Sequence, residues 1–291
     1  MAPLLHIVTL NWNRRDDTLA FLASCQRQSY TPSHVLVVDN GSSDDTLAAV
    51  AAAYPAVELV ANGANLGFAA GMNAGLRRAL AAGAEYVLLA NNDTTLGPLM
   101  LELLVAAALA YDADLVAPAI YYADAPARLW WLGGVLRPVL LEIRRCPTPL
   151  GRGLAPFAVD FVTGCGMLVS RRCLETVGLF DERFFMYYED HDYCLRVRRA
   201  GLRILVEPRA TMYHKVASSS GGSDSPNERY HMARSSVQFF RKHARPWQWL
   251  AIGPYRTGSA LRTLGRLLRR GQREAARAYL RGLRDGLAAT R

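Results

Sequence analysis

Four times between Leu4 and Tyr111 a short apolar run gives way to a stretch whose apolar positions recur at helical spacing: Leu4–Leu10 then Leu19–Cys25, His34–Asp39 then Asp44–Tyr54, Val57–Ala61 then Gly67–Ala82, and Tyr86–Ala90 then Leu99–Tyr111. Successive strand-then-helix units predict an α/β fold with a mostly parallel central sheet flanked by helices. Polar residues collect just after the strands, at Asn11–Asn13, Asp39–Ser43 and Asn91–Asp93, which is where open α/β sheets bind their ligands. This half of the chain reads as a nucleotide site.

The regularity fails between Ala123 and Pro156, around Trp130, Trp131 and the basic Arg144–Arg145, which marks an irregular insertion or extended sheet edge. A strand-like stretch returns over Val159–Ser170, then a helix through Cys173, then the dense segment Asp181–Gly201. Ser218–Ser225 has the Ser/Gly content of a mobile loop, and mobility beside a site often means a lid. With 291 residues, 51% of them hydrophobic, the chain can bury one large core with a small appended subdomain.

The net charge of +9 is unevenly placed: ten arginines against Glu274 and Asp285 between Arg256 and Arg291 carry +8 of it. A nearly neutral body with a basic tail argues against a nucleic-acid-binding core and for a tail that meets an anionic surface. The five cysteines form no CxxC pair and are odd in number, as expected of reduced thiols. Neither a leader pattern at Met1–Leu10 nor an uninterrupted apolar run of about 18 residues is present, so a cytoplasmic protein is expected, peripheral at most at the inner face of the plasma membrane.

Each motif has an ordinary explanation beside the functional one. Ser43 and Asp44 suit helix capping, but capping leaves Asp39 unexplained, and a strand-end carboxylate can accept from a base N–H or a ribose hydroxyl. Gly67, Gly71 and Gly75 are four apart along one helix, a spacing that permits close packing and differs from the GxGxxG dinucleotide fingerprint. Asn91-Asn92-Asp93 is a plausible turn, yet a lone Asp93 at a strand end suffices for Mg²⁺ once a diphosphate bridges the ion. In the segment Phe180–Arg196, aromatics alternate with carboxylates and draw Glu189, Asp190 and Asp192 toward low dielectric, making each a candidate base; a helix start with an Asp192–Arg196 pair is the plainer account. His214 has no second ligand nearby in sequence, and such a histidine is more often structural.

Taken in order, these residues resemble the inverting, GT-A fold glycosyltransferases of family 2, and within them the bacterial rhamnosyltransferase-like members. The resemblance covers roughly residues 4–243 and rests on Val8-Thr9-Leu10-Asn11-Trp12-Asn13, Val38-Asp39-Asn40-Gly41-Ser42, Asn65-Leu66-Gly67-Phe68, Asn91-Asn92-Asp93-Thr94, Gly164-Cys165-Gly166-Met167, Phe180–Phe185, Glu189-Asp190 and His214. It implies a nucleotide-binding half over about 4–120 and an acceptor half over about 121–243. Thr9, Asn11, Asp39, Asn65, Asn91 and Asn92 would line the nucleotide pocket, with Asp39 on the base. Asp93 would hold Mg²⁺ or Mn²⁺ on the diphosphate. The family's metal motif is often Asp-x-Asp, whereas Asn91 stands first here, which makes His214 a more plausible additional ligand. Asp190 would be the general base, with Glu189 or Asp192 as alternatives, and direct displacement would invert the anomeric carbon. The Asn-Asn-Asp-Thr form implies dTDP-L-rhamnose as donor, although thymine and uracil are not told apart by these residues. The acceptor would be a glycan or a lipid-linked glycan.

Residues 244–291 form the tail, in which Leu261, Leu264, Leu268, Ala276, Tyr279, Leu280, Leu283 and Leu287 recur at helical steps among arginines. Docking on anionic lipid and packing on the catalytic domain both account for this, and Gly265, Gly271, Gly282 and Gly286 are expected to weaken long helices. A competing function is a noncatalytic nucleotide-sugar-binding module that has lost its first metal carboxylate; intact Asp93, Glu189 and Asp190 argue against it. A sugar nucleotidyltransferase would need a Gly-rich loop after its first strand, and Asn11–Arg15 contains no glycine.

Overall fold

The computed structural model describes residues 2–146, 155–216 and 224–289. The chain divides into two compact units, the first formed by residues 1–135, 145–182 and 189–216 and the second by 136–144, 183–188 and 217–291.

The first unit opens with β1 (Leu5–Asn11), α1 (Arg15–Cys25), β2 (Ser33–Asp39), α2 (Thr46–Ala53), β3 (Glu58–Ala61), α3 (Gly67–Ala81) and β4 (Tyr86–Asn91). β1 lies between β2 and β4, β2 pairs with β3, and all three pairings are parallel, as the repeated strand-helix units require. Register places Asn11 level with Asp39 and Leu10 level with Asn91, so three neighbouring strands end together. Leu5 and Ile7 of β1 join Phe21 and Leu22 of α1 in one core cluster. On the other face α3 approaches so closely that a methyl at Gly75 would lie 2.4 Å from Val8 Cγ1 and 2.8 Å from Val38 Cγ2.

Beyond β4 the chain runs through β5 (Thr94–Leu96), α4 (Met100–Ala110), β6 (Leu115–Tyr122), β7 (Leu129–Trp131), β8 (Gly134–Arg137), β9 (Glu142–Arg145), β10 (Phe157–Ala158), β11 (Gly166–Ser170), α5 (Arg171–Val177), α6 (Glu189–Arg199) and β12 (Ile204–His214). The main sheet has the order β10-β12-β6-β11-β4-β1-β2-β3, with β5 paired to β12 and β7 to β6, while β8 and β9 form a separate ribbon. The sheet is thus parallel in its first half and mixed in its second, because β11 runs antiparallel to both β4 and β6. The Ala123–Pro156 stretch, irregular in sequence, supplies β7, β8 and β9; residues 147–154 of it lie outside the described residues.

The second unit contains α7 (Pro226–His243), a 3₁₀ turn (Pro246–Gln248), α8 (Trp249–Arg269) and α9 (Arg273–Ala288). Gly271, with φ +70°, lies in the break between α8 and α9, whereas Gly265, Gly282 and Gly286 lie within helices. A methyl at Gly282 would lie 2.3 Å from the Tyr230 carbonyl oxygen and one at Gly286 2.8 Å from that of Arg234, so both are contact residues that let α9 lie against α7. Helix α7, which the sequence reading placed at the end of the 4–243 domain, therefore packs with the tail. Arg241 of α7 donates to the carbonyls of Gly286, Leu287 and Ala289, satisfying the open end of α9. Among the described residues no helix is long and apolar enough to cross a membrane. Of the Ser218–Ser225 stretch, residues 218–223 lie outside the described residues.

Candidate functional site

All the candidate residues belong to the first unit; Asn11, Asp39 and Asn91 stand at the carboxyl ends of β1, β2 and β4, with Asn92 and Asp93 directly after β4. Asp39 is 2% exposed. Its Oδ1 accepts from Asn11 Nδ2 at 2.9 Å and from the Ser42 hydroxyl, and its Oδ2 accepts from the Ser42 N–H at 2.9 Å. The turn that follows needs glycine: Gly41 has φ +77°, and a Cβ there would sit 2.6 Å from the Ala64 backbone. Asn11 is saturated by its own scaffold, since Nδ2 also donates to Ser42 Oγ and Oδ1 accepts from Thr18 and Asn92. Thr9 lies beneath them with a buried hydroxyl that has no hydrogen-bond partner among the described residues.

Asn65 accepts from the Gly67 N–H at 3.0 Å, at the start of α3, and from Asn40 Nδ2 at 3.0 Å. Asn40 was not singled out by the sequence reading. It is 2% exposed, and it also accepts from Asn62 and from the Leu66 N–H while donating to the Gly67 carbonyl. An Asn directly after a strand-end Asp is the signal that could have marked it. Of the asparagines after β4, Asn91 offers its carbonyl to Thr94 Oγ1 at 2.6 Å and Asn92 donates to Thr18 Oγ1 at 2.9 Å.

Asp93 and His214 are 121 positions apart, and strand pairing brings them together. β12 lies antiparallel to β5 with His214 opposite Thr94, which sets His214 Nε2 3.3 Å from Asp93 Oδ1. Both residues are buried, and His214 Nδ1 has no hydrogen-bond partner among the described residues. No group of three or more His, Cys, Asp or Glu suited to a metal occurs among the described residues. Any ion here would meet one carboxylate and one imidazole, a donor set that leaves room for phosphate oxygens and water.

The third part follows from the antiparallel β4–β11 pairing. Asn91 donates its N–H to the Cys165 carbonyl at 3.0 Å, and one residue earlier the Gly164 N–H donates to Asp190 Oδ2 at 3.2 Å. Cys165 accordingly feels both ends of the site: burial, then the charges of Asp93 and Asp190, push its thiol up. α6 begins after Tyr187 and Tyr188, which have φ +66° and +68°, a conformation that costs a non-glycine residue on the order of 1 kcal/mol or more. Tyr188 is anchored by Phe239 at 5.4 Å between ring centroids.

Environment separates the three acids of this segment. Asp192 is 0% exposed and bound to Arg196 at 2.8 Å, and Arg196 in turn donates to the Val177 and Leu179 carbonyls. This is the plainer i,i+4 account of Asp192, and it fixes the start of α6. Glu189 is buried with Oε2 lacking a hydrogen-bond partner among the described residues; burial first, then the neighbouring Asp190 charge, push its carboxyl well above the usual range. Burial pushes Asp190 up as well, but the His191 imidazole, 2.8 Å from Oδ1, and the Gly164 and His191 N–H groups outweigh it and hold the carboxyl below its ordinary value. Asp190 remains 15% exposed. Two adjacent carboxyls are thus driven apart, one toward the neutral form and one toward the ionised form.

An aromatic run joins the two ends. Trp130 meets His214 edge-on at 4.6 Å, Trp131 meets Phe161 at 5.6 Å and 89°, and Phe161 lies 4.4 Å from the His191 ring. Trp130 and Trp131 come from β7, within the stretch that looked irregular in sequence, so nothing in their spacing pointed to this role.

The chain is 28% identical over 288 residues to N-acetylglucosaminyl-diphospho-decaprenol L-rhamnosyltransferase of Mycobacterium tuberculosis, covering 85% of this chain and 88% of that one. It is 30% identical over 208 residues to galactofuranosyltransferase GlfT1 of the same species, covering 69% and 67%. Among solved structures, GalNAc-T7 with UDP, GalNAc and Mn²⁺ matches with a TM-score of 0.65 at 14% identity, over 82% of this chain and 50% of that one, so this chain spans about half of its length. Mannosyltransferase PcManGT of Pyrobaculum calidifontis, in complex with GDP-Man and Mn²⁺, matches with a TM-score of 0.58 at 19% identity, over 100% and 77%. These structural likenesses establish the GT-A fold. The profile of Glycosyl transferase family 2 matches residues 6–178, which include nearly all of the parallel half, Asp39, Asp93 and the turn at residues 163–165. With more than half of its length matched, the chain belongs to glycosyl transferase family 2.

Proposed function

We propose that this glycosyltransferase transfers a hexose, with dTDP-L-rhamnose as donor, to a hydroxyl of a lipid-linked glycan, with inversion at the anomeric carbon. The observation that carries the reading is the division of charge along the β4–β11 pairing: Asp93 with His214 on one side, and on the other an ionised Asp190 beside the turn at residues 163–165. Rhamnose is favoured by the Asn91-Asn92-Asp93-Thr94 sequence and by the similarity to N-acetylglucosaminyl-diphospho-decaprenol L-rhamnosyltransferase, which also favours a lipid-linked acceptor.

Asp39, held rigid by Asn11 and Ser42, faces the nucleoside end of the pocket and orients the donor. Asp93 and His214 would hold Mg²⁺ or Mn²⁺, which supplies charge stabilisation for the departing nucleoside diphosphate when bound. Both solved relatives described above carry Mn²⁺ with a nucleotide or nucleotide sugar. Asp190 accepts the proton of the acceptor hydroxyl, and its low proton affinity in the free protein keeps it available at neutral pH. The Glu189 carboxyl, pushed well above the usual range by burial, is biased toward the neutral form.

The test is thermal stability with Mn²⁺ against a panel of nucleoside diphosphates. A nucleotide at about a hundred times its dissociation constant adds roughly 2.7 kcal/mol. Stabilisation by dTDP above UDP and GDP, lost in both Asp93→Ala and His214→Ala, is the expected outcome. Equal response to every nucleotide would overturn the thymidine assignment, and no response to any would overturn the donor site.

A further inference from the structure

The tail helices carry leucines on the wrong side for packing. On α9, Ala275, Ala276, Tyr279, Gly282 and Gly286 are buried, and the first three join Ala233 of α7 in a core cluster. Arg273, Arg277, Leu280, Arg284 and Leu287 follow one another at four- and three-residue steps and are all exposed, so they form one outward stripe. Leu280 is 51% exposed and Leu287 65%. On α8, Leu250, Pro254, Leu261 and Leu268 are spaced by four, seven and seven residues and again share a stripe, about 27 Å long at the rise of an α-helix. Leu250 is 83% exposed, Leu261 66% and Leu268 58%, with Arg262 and Arg269 exposed one quarter-turn or so around the same helix. Trp247, just before this helix, and Trp249, its first residue, are exposed.

We infer that these outward faces of α8 and α9 dock on an anionic lipid surface, with the guanidinium groups on headgroup phosphates and the leucines and tryptophans in the interfacial layer. The charge selects this occupant. A second copy of the chain would bring ten arginines and two acids per segment against the same excess, a like-charge contact that repels. A nucleic acid would satisfy the arginines but leave the leucines in water. Anionic lipid answers both features, and interfacial helices combine arginine-rich and apolar surface in this way. The inference is independent of the donor and acceptor proposed above, because none of these side chains lies in the candidate site.

Flotation of the full chain with phosphatidylcholine vesicles, with and without phosphatidylglycerol, tests it. The wild type should float with the anionic vesicles alone. The combined variant Leu261→Ser, Leu268→Ser, Leu280→Ser, Leu287→Ser should lose at least tenfold in vesicle affinity, and Arg273→Gln with Arg277→Gln about fivefold for each arginine. All these side chains are exposed, so melting temperatures should stay unchanged; the arginine variant tests the same face if the leucine variant folds poorly. Absence of binding to anionic vesicles would overturn the inference. So would full binding by the leucine variant, which would mean electrostatic adsorption only, or a dimer on size exclusion that the leucine substitutions dissociate, which would mean a second copy covers the face.

Discussion

Replacing Asp190 by Asn and, separately, Glu189 by Gln should give opposite results although the two residues are adjacent. Asp190 accepts from the Gly164 and His191 N–H groups at 3.2 and 2.8 Å and lies 2.8 Å from His191 Nδ1. An amide keeps the shape but surrenders the charge-assisted part of those bonds, a loss of about 2 kcal/mol of stability, which leaves a domain of this size folded. It also removes the proton acceptor, which should lower kcat by about 10² to 10⁴, or roughly 3 to 5 kcal/mol of barrier. Since this far exceeds any change in folded population, the loss is chemical. Donor KM should hold, because Asp39 and Asp93 are untouched. Glu189 is held toward its neutral form, with Oε2 unpartnered among the described residues, so Gln replaces one neutral group by another. Its kcat should stay within about threefold of wild type, much less than one removed general base would lower it. The assay is nucleotide release at saturating donor and acceptor, with a melting curve for each variant. A Glu189→Gln enzyme that is dead while Asp190→Asn retains most of its rate would refute the assignment of roles by environment.

The same environment sets the sign of a pH effect on stability. With its folded pKa raised, Glu189 gives its full contribution below the unfolded glutamate value of about 4.3 and loses it as pH rises through the folded value. Melting temperatures measured from acid to neutral pH should therefore diverge, with Glu189→Gln gaining on wild type as pH rises; a constant difference would show that folding leaves the Glu189 pKa unchanged. Gly75→Ala should destabilise by about 1 to 3 kcal/mol, because its methyl would collide with Val8 and Val38 at the sheet face, and a denaturant midpoint equal to wild type would show that α3 is free to shift.

The parallel half was legible because its central strands β1 and β4 and the end of β2 are buried and so appear as apolar runs ended by polar residues, as at Val37-Val38-Asp39. β12 was not. Its eleven residues include Pro208 and Arg209, and the pairing with β6 shifts register between Glu207 and Thr211, so alternation breaks and only Ile204–Val206 reads as strand. β5 is three residues long and carries no pattern of its own. These two elements are what carry His214 to Asp93, so a histidine with no second ligand in its own stretch of sequence acquires one only through long-range pairing.

The tail shows the opposite difficulty. Its helical periodicity was plain, but periodicity does not say which apolar positions are covered. Gly282 and Gly286, weak helix formers by propensity, turn out to mark the buried face because α7 presses its backbone against them. That assignment places Leu280 and Leu287 outside, among arginines. The same reasoning applies to the three acids of α6: spacing presented Glu189, Asp190 and Asp192 as equivalent candidates, and only their partners distinguish them. Arg196 claims Asp192, burial pushes the Glu189 carboxyl up, and His191, with the turn before β11, holds Asp190 below its ordinary value. Chemistry at this site is thus allotted by which neighbour each carboxyl meets: Arg196, His191 and the adjacent Asp190 charge come from the acids' own helix, and the Gly164 N–H comes from outside it.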